Sequence, residues 1–328
     1  MNHPRMAESK LPTQERRLVL QTRNLSIGYA DRVVMNDLNL EAYSGKFVCF
    51  MGPNGIGKST LIRTLAGVQQ PVKGQVATFL SGKPAVVLTD RVNAGYMTVR
   101  QLITFGRYPH LSWNLRIAPA DRHAIESAIS ILHLETIANR RLTEISDGQL
   151  QLVQIGRALA QETNLVLLDE PTAHLDLNNR LEICLMLRRL ARDGHKAIVM
   201  ATHELDLALQ TADEIWLAGG EQLVSGAPED LVLSGAFDEI FKLKGFNLKT
   251  GKVRHVSDRA IRVSVEGNNV PAAWTRNALE RSGYEVVAEG ADLAIVVTEE
   301  SDAKFTWSVS DGREFTSIDG LLKALEER

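Results

Sequence analysis

KFVCFMGPNGIGKSTLIRTLAG, residues 46–67, carries the strongest signal in the chain. The apolar run FVCFM reads as a buried strand, and the pattern from Lys58 onward reads as a helix. Between them stands Gly52-x-x-x-x-Gly57-Lys58-Ser59. Glycines in such a turn let successive N–H groups point inward around phosphate oxygens, and the helix N-terminus adds positive potential. Gly52, Pro53, Asn54, Gly55, Ile56 and Gly57 therefore read as a phosphate cradle. Lys58 is placed to reach β- and γ-phosphates, Ser59 to put its hydroxyl on Mg²⁺, and Thr60 stands beside them. A turn that merely connects strand to helix is the alternative, and the intact strand–loop–helix context argues against it.

Working outward, NLVLLDEP (164–171) supplies a second half. Its apolar residues form a strand deep in a sheet that ends in Asp169-Glu170. Asp169 is placed to hold Mg²⁺ through its water shell, because Mg²⁺ takes few carboxylates and keeps waters. Glu170 can polarise a water attacking the γ-phosphate. On its own an acidic pair at a strand end is ordinary solvated turn chemistry; following a phosphate loop it gains a role. KAIVMATHE (196–204) repeats the arrangement with His203. A histidine at a strand end is often structural, but carboxyl ends of parallel strands face the ligand crevice, which brings His203 toward the γ-phosphate. Tyr29 in LSIGYADR offers a π face on which a base can stack. In ISDGQLQLVQIGRALAQ (145–161), Ser146 and Gln149 form a capping-box pair at the start of an amphipathic helix.

The rest of the chain bounds these readings. It has 328 residues, enough for one large domain and a smaller one, with 44% hydrophobic and 23% charged residues. A net charge of −3 shows no basic excess for a nucleic-acid partner. The two cysteines, Cys49 and Cys184, lie in apolar segments without metal or redox spacing, as suits a reducing cytoplasm. No run approaches the roughly 18 apolar residues of a membrane span, and the polar N-terminus does not read as a signal peptide.

Residues 1–17 are expected to be disordered. From Leu18, short β-rich runs alternate with helical patterns, predicting an α/β core with a mixed sheet. Residues 98–156 are mostly helical and read as an inserted subdomain, after which strand–helix alternation resumes. Near Gly251 the character changes. Residues 258–328 hold 14 acids against 8 bases, whereas the part before them carries a small positive excess. IRVSV, LAIVV and FTWSV read as strands. VPAAWTRNALERSG reads as a helix, and so does IDGLLKALEER, with Ile318, Leu321, Leu322 and Leu325 at helical spacing. Residues 252–328 are thus expected to form a small α+β domain, βαβββα in order, with Trp274 and Trp307 in its core. A separable regulatory or dimer-stabilising role suits it, since it holds no phosphate loop and no clustered metal ligands.

Phosphate loop, ISDGQ, LVLLDEP, AHLD and THE, in that order over roughly residues 18–245, resemble the nucleotide-binding subunit of an ATP-binding cassette (ABC) transporter. The resemblance implies a P-loop NTPase cassette core that uses ATP and Mg²⁺. It implies a head-to-tail homodimer, in which Ser146, Gly148 and Gln149 of one subunit close over ATP held by the other, with Asp176 at the same interface. A transmembrane permease dimer would be the direct partner at the cytoplasmic face of the inner membrane, and an extracytoplasmic substrate-binding protein an indirect one. TVRQLITFGRYPH (98–110) and PTAHLDLNNR (171–180) are similar to the ATPases of iron-chelate, haem and cobalamin importers. An exporter, another importer and a soluble non-transport ABC ATPase are the alternatives. The chain also departs from the family. Thr89 in VVLTDR stands where a glutamine usually touches Mg²⁺, so a metal-linked role falls to its hydroxyl. Leu150 and Leu152 follow the signature where basic residues are common. Both changes bear on coupling to the permease more than on nucleotide binding.

Overall fold

Residues 17–29, 32–79, 82–89, 96–173, 175–220, 222–242, 246–248, 252–253, 259, 261–299 and 305–326 are described by the structure, a computed structural model. The N-terminal segment 1–16 and Gly251, on which two of the expectations fall, lie outside them. The chain divides into two units, Met1–Lys242 and Leu243–Arg328.

The first unit opens with β1 (Leu18–Tyr29), β2 (Arg32–Leu38), β3 (Glu41–Tyr43) and β4 (Phe47–Met51), followed by α1 (Lys58–Leu65), β5 (Lys73–Thr78) and β6 (Ala85–Val87). A helical stretch comes next: α2 (Val99–Thr104), a 3-10 turn at Phe105–His110, α3 (Pro119–Ile131) and α4 (Asp147–Leu159). Alternation then resumes with β7 (Leu165–Asp169), α5 (Leu177–Asp193), β8 (Ala197–Ala201), α6 (Leu205–Thr211), β9 (Glu214–Gly219) and β10 (Gln222–Gly226), and the unit closes on α7 (Pro228–Ser234) and α8 (Ala236–Phe241).

The expected mixed sheet resolves into two. β2, β1, β3 and β5 make an antiparallel sheet centred on β1, and β10-β9-β4-β8-β7-β6 make a six-stranded sheet. All pairs of the second sheet are parallel except the β9–β10 hairpin at its edge. Strands buried on both faces read as unbroken apolar runs, and β4, β7 and β8 are buried at every position. Leu61, Ile62 and Leu65 of α1 share one core with Leu20, Leu25 and Ile27 of β1 and with Val48, Phe50 and Val199 of the parallel sheet. This helix is therefore the filling between the two sheets. Alternation along β4 turns Cys49 to the opposite face, where α5 packs. Both cysteines are buried and free, and burial pushes both thiols up, Cys184 to about 12.

The second unit begins with a hairpin of β11 (Phe246–Asn247) and β12 (Lys252–Val253). It continues through β13 (Arg262–Glu266), α9 (Val270–Arg281), β14 (Glu285–Val286), β15 (Leu293–Glu299), β16 (Phe305–Val309), β17 (Glu314–Phe315) and α10 (Ile318–Glu326). Its five-stranded sheet runs β14-β13-β15-β16-β17, parallel among the first three and antiparallel thereafter. The expected α+β pattern is present with one strand more than βαβββα, and two of its five strands, β14 and β17, are only two residues long. Leu321 and Leu325 of α10 enter the core with Val263, Ile295 and Leu279. Trp307 belongs to that core and donates its indole N–H to Thr275 Oγ1 at 2.7 Å. Trp274 does not: it is 64% exposed. The apolar stripe of α9 runs through Ala272, Thr275, Ala278 and Leu279, which sets Val270 and Trp274 on the solvent side. The expectation of two core tryptophans fails because either face of this weakly amphipathic helix can carry an apolar residue.

Candidate active site

Adjacent strands of the parallel sheet end side by side, and each carries a candidate residue just past its carboxyl end. β4 leads into the loop from Gly52, β8 into Thr202 and His203, β7 ends on Asp169, and β6 is followed by Thr89. Four segments far apart in sequence thus converge on one sheet edge, the usual place for a ligand crevice in an α/β fold.

The phosphate loop is shaped by its glycines. A Cβ on Gly52 would stand 2.5 Å from the Ala218 carbonyl oxygen of β9. Gly55 and Gly57 adopt left-handed φ values of 80° and 110°, and Gly57 is the N-cap of α1. Lys58, only 6% exposed, donates to the Gly52 carbonyl at 3.0 Å and the Pro53 carbonyl at 3.3 Å, which folds its ammonium back over the loop. Burial lowers the Lys58 pKa, while the negative charges of Glu170 and Asp169 oppose that shift. Ser59 is exposed at the helix start. Thr60 is buried, and its hydroxyl lies 3.4 Å from Tyr29 Oη. Tyr29 is itself 56% exposed, so its ring remains open to a base.

Asp169 is fully buried. Its Oδ2 accepts from Thr89 Oγ1 at 2.9 Å, while its Oδ1 is shut from solvent without a hydrogen-bond partner. A buried carboxylate oxygen left unpaired is costly, and a hydrated cation would satisfy it. Among the described residues no three His, Cys, Asp or Glu side chains gather to hold a metal. Mg²⁺ needs no such cluster, since it is bound by one or two carboxylates, waters and substrate phosphates. Glu170 holds a left-handed φ of 48°, and its N–H donates to the Ala201 carbonyl of β8 at 3.0 Å. That turn brings Glu170 Oε1 to 3.3 Å from His203 Nδ1, with the His203 side chain half exposed.

The remaining candidates form a separate group. Ser146 caps α4: its Oγ accepts from the Gln149 N–H at 3.2 Å, and Gln149 Oε1 accepts from the Ser146 N–H at 3.1 Å. The expected capping box is present. Asp176 caps α5, accepting from the Asn179 N–H at 2.9 Å and from Asn179 Nδ2 at 2.8 Å. The two helix starts are neighbours, because a Cβ on Gly148 would stand 2.6 Å from Leu175 Cδ2. Lys58 heads α1, which packs on β1, β7 and β8, whereas α4 packs on β6, α2 and α3.

Two groups lie outside the sequence-level site. Arg180 of α5 pairs with Glu204 at 3.0 Å and donates to the Leu175 carbonyl at 2.6 Å. It thereby ties the residue after His203 to the loop before Asp176. Arg107 is buried against Asp121 at 2.9 Å, the Ala160 carbonyl at 2.7 Å and Glu162 at 2.7 Å, fixing the 3-10 turn that follows α2. Arg180 and Glu204 close the quoted PTAHLDLNNR and THE segments, but nothing in either segment shows that they pair with each other. Arg107 stands in the quoted GRYPH segment, but its burial depends on α3 and α4.

Comparison with known proteins completes the assignment. Residues 35–173 match the ABC transporter family, and residues 260–326 match the iron ABC transporter C-terminal domain. An uncharacterised ABC transporter ATP-binding protein of Methanocaldococcus jannaschii is 38% identical over 243 residues, covering 70% of this chain and 83% of that one. The iron(3+)-hydroxamate import ATP-binding protein FhuC of Bacillus subtilis is 34% identical, covering 68% and 88%. Among solved structures, an ABC transporter assigned to the metal-chelate type, in an inward-facing conformation, aligns with a TM-score of 0.64 at 28% identity, covering 69% of this chain and 90% of that one. No helix among the described residues is long and apolar enough to cross a membrane. The chain belongs to the ATP-binding subunits of ABC transporters, the ATPases that couple hydrolysis to transport, and it carries the C-terminal domain of the iron branch.

Proposed function

We propose that this subunit hydrolyses Mg·ATP as one of two copies paired head to tail, at the cytoplasmic face of the inner membrane, and energises import of an iron(III)–siderophore through a separate permease. The observation that carries the catalytic reading is the convergence of Lys58, Asp169, and the Glu170–His203 pair on one sheet edge. Glu170 takes a proton from water as the water oxygen attacks the γ-phosphorus. The bond from that phosphorus to the bridging oxygen breaks, and ADP leaves with the bonding electrons. His203, 3.3 Å from Glu170 Oε1, keeps the carboxylate turned to the water. Lys58 and the loop N–H groups bind the β- and γ-oxygens, and Tyr29 stacks on the base. Ser59 and Asp169 would hold Mg²⁺, which when bound neutralises charge on those phosphates; the orphaned Asp169 Oδ1 suits that use.

Ser146, Gly148 and Gln149 serve the nucleotide of the second copy, with the N–H groups at the start of α4 aimed at its γ-phosphate and Asp176 beside them. Capping and function coincide at Ser146. The match of residues 260–326 to an iron transporter domain supports an iron cargo, as does the likeness to FhuC. Haem and cobalamin have no comparable support. A substrate-binding protein outside the membrane delivers cargo to the permease and touches this chain only indirectly, and no nucleic acid is involved.

Glu170→Gln tests the chemistry. The variant should bind Mg·ATP like the wild type, lose at least about 100-fold in hydrolysis, and accumulate as an ATP-bound dimer on size exclusion. Hydrolysis at the wild-type rate would remove Glu170 as the base. For the cargo, vesicles holding this subunit with its permease should take up radioiron supplied as a siderophore complex when ATP is present. Uptake of haem or cobalamin instead would overturn the assignment.

A further inference from the structure

β6 runs parallel to β7 with Val87 opposite Leu168. Two residues beyond Val87 the chain is therefore level with the end of β7, and Thr89 Oγ1 meets Asp169 Oδ2 at 2.9 Å. Asp169 has no solvent exposure, and its other oxygen has no hydrogen-bond partner. The terminal torsion of a carboxylate is broad, so its plane turns easily unless a partner holds it. Here a turn of the carboxylate plane away from that orientation would break the bond to Thr89, and Asp169 is buried.

We infer that Thr89 is a positioning residue: its hydroxyl holds the plane of the Asp169 carboxylate, so that one oxygen stays on Thr89 and the other is turned toward the magnesium shell of the bound nucleotide. The inference rests on the reading of the site as a Mg·ATP centre. It differs from a direct contact between Thr89 and metal. In this structure the single O–H of Thr89 is given to the carboxylate, so the role assigned to it runs through Asp169. The chain just past β6 is thus tied to Asp169 at Thr89. A purely structural bond would stabilise the fold and leave metal dependence unchanged.

The test uses the full chain as wild type, Thr89→Val and Thr89→Ser. ATP affinity is measured once in EDTA and once with excess MgCl₂, and melting is followed without nucleotide. Affinity in EDTA should be the same in all three. The gain in affinity on adding Mg²⁺ should shrink about tenfold in Thr89→Val, a change of about 1.4 kcal/mol, and return in Thr89→Ser. A wild-type gain in Thr89→Val overturns the inference, whatever its melting temperature. So does an equal loss in Thr89→Ser, because the hydroxyl is then irrelevant. If Thr89→Val does not fold, Thr89→Ala replaces it against Thr89→Ser; Thr89 is exposed, so a smaller side chain leaves no cavity. A wild-type chain whose ATP affinity ignores Mg²⁺ would instead overturn the Mg·ATP reading, and this inference with it.

Discussion

Gly52 shows how little room the phosphate loop has. Adding one carbon there would bring it to 2.5 Å from the Ala218 carbonyl, a backbone atom in the middle of the sheet that cannot turn aside. At Gly55 nothing lies within 4 Å of an added Cβ, and the only penalty is the left-handed φ of 80°. Gly52→Ala should therefore cost about 1–3 kcal/mol by overpacking and displace the loop enough to weaken ATP binding. Gly55→Ala should cost about 1–2 kcal/mol of backbone strain and affect binding less. Chemical unfolding and ATP titration of both variants check this, and equal effects on binding would count against the close-packing account. At this scale the phosphate loop, Asp169, Glu170 and His203 were legible because their spacing and order encode phosphate chemistry. The left-handed turn at Glu170 was not, since it depends on a hydrogen bond to Ala201 of another strand. Nor was the exposure of Trp274, which is decided by the face of α9 that meets the sheet.

Among elements, one carboxylate bridges β4, β9 and α5. Asp213, just before β9, accepts from the Phe47 N–H at 3.1 Å, from Arg188 at 3.1 Å and from Arg192 at 2.7 Å. Burial pulls its pKa up, but the Phe47 N–H and the two guanidinium groups outweigh burial and hold it below the usual carboxylate value of 3.8. A depressed folded pKa means that the ionised form stabilises the fold. That contribution is fully present above 3.8 and is lost as pH falls through the folded pKa. Asp213→Asn should cost about 1–3 kcal/mol at neutral pH, measured by urea unfolding. The gap between wild type and variant should narrow as the pH is lowered below 3.8 and through the folded pKa. A gap that stays constant down to acid pH would show that the amide's lost acceptor geometry matters and the charge does not. Long elements were readable from pattern, as in β4, β7, β8 and the three helices from α2 to α4. The two-residue strands β14 and β17 were not, because so few residues carry no periodicity and are recruited by the edges of an existing sheet.

In the whole molecule the two units differ in charge and in core. The first builds its core around α1 between two sheets, and the second around Trp307, Ile295 and Leu321. Composition alone sets a change of character near Gly251, whereas contacts divide the chain between Lys242 and Leu243. The interval holds β11, and β12 follows just past it; these two-residue strands are too short to announce their allegiance by pattern. Two truncations separate these possibilities: one ends the chain at Lys242, and the other ends it before Asp258. We expect both fragments to fold, to bind Mg·ATP with the affinity of the full chain, and to hydrolyse it when dimeric, because every residue assigned to the nucleotide lies before Lys242. The 86 residues from Leu243 to Arg328 bury a smaller core than the first unit does, so the second unit should melt at a lower temperature when expressed alone than the first unit does. Circular dichroism melting and ATP titration of the fragments provide the check. Soluble, nucleotide-binding protein only from the longer fragment would assign the hairpin to the cassette and move the boundary beyond Val253. Insoluble protein from both would mean that the second unit completes the fold of the first, and the division into separable units would be wrong.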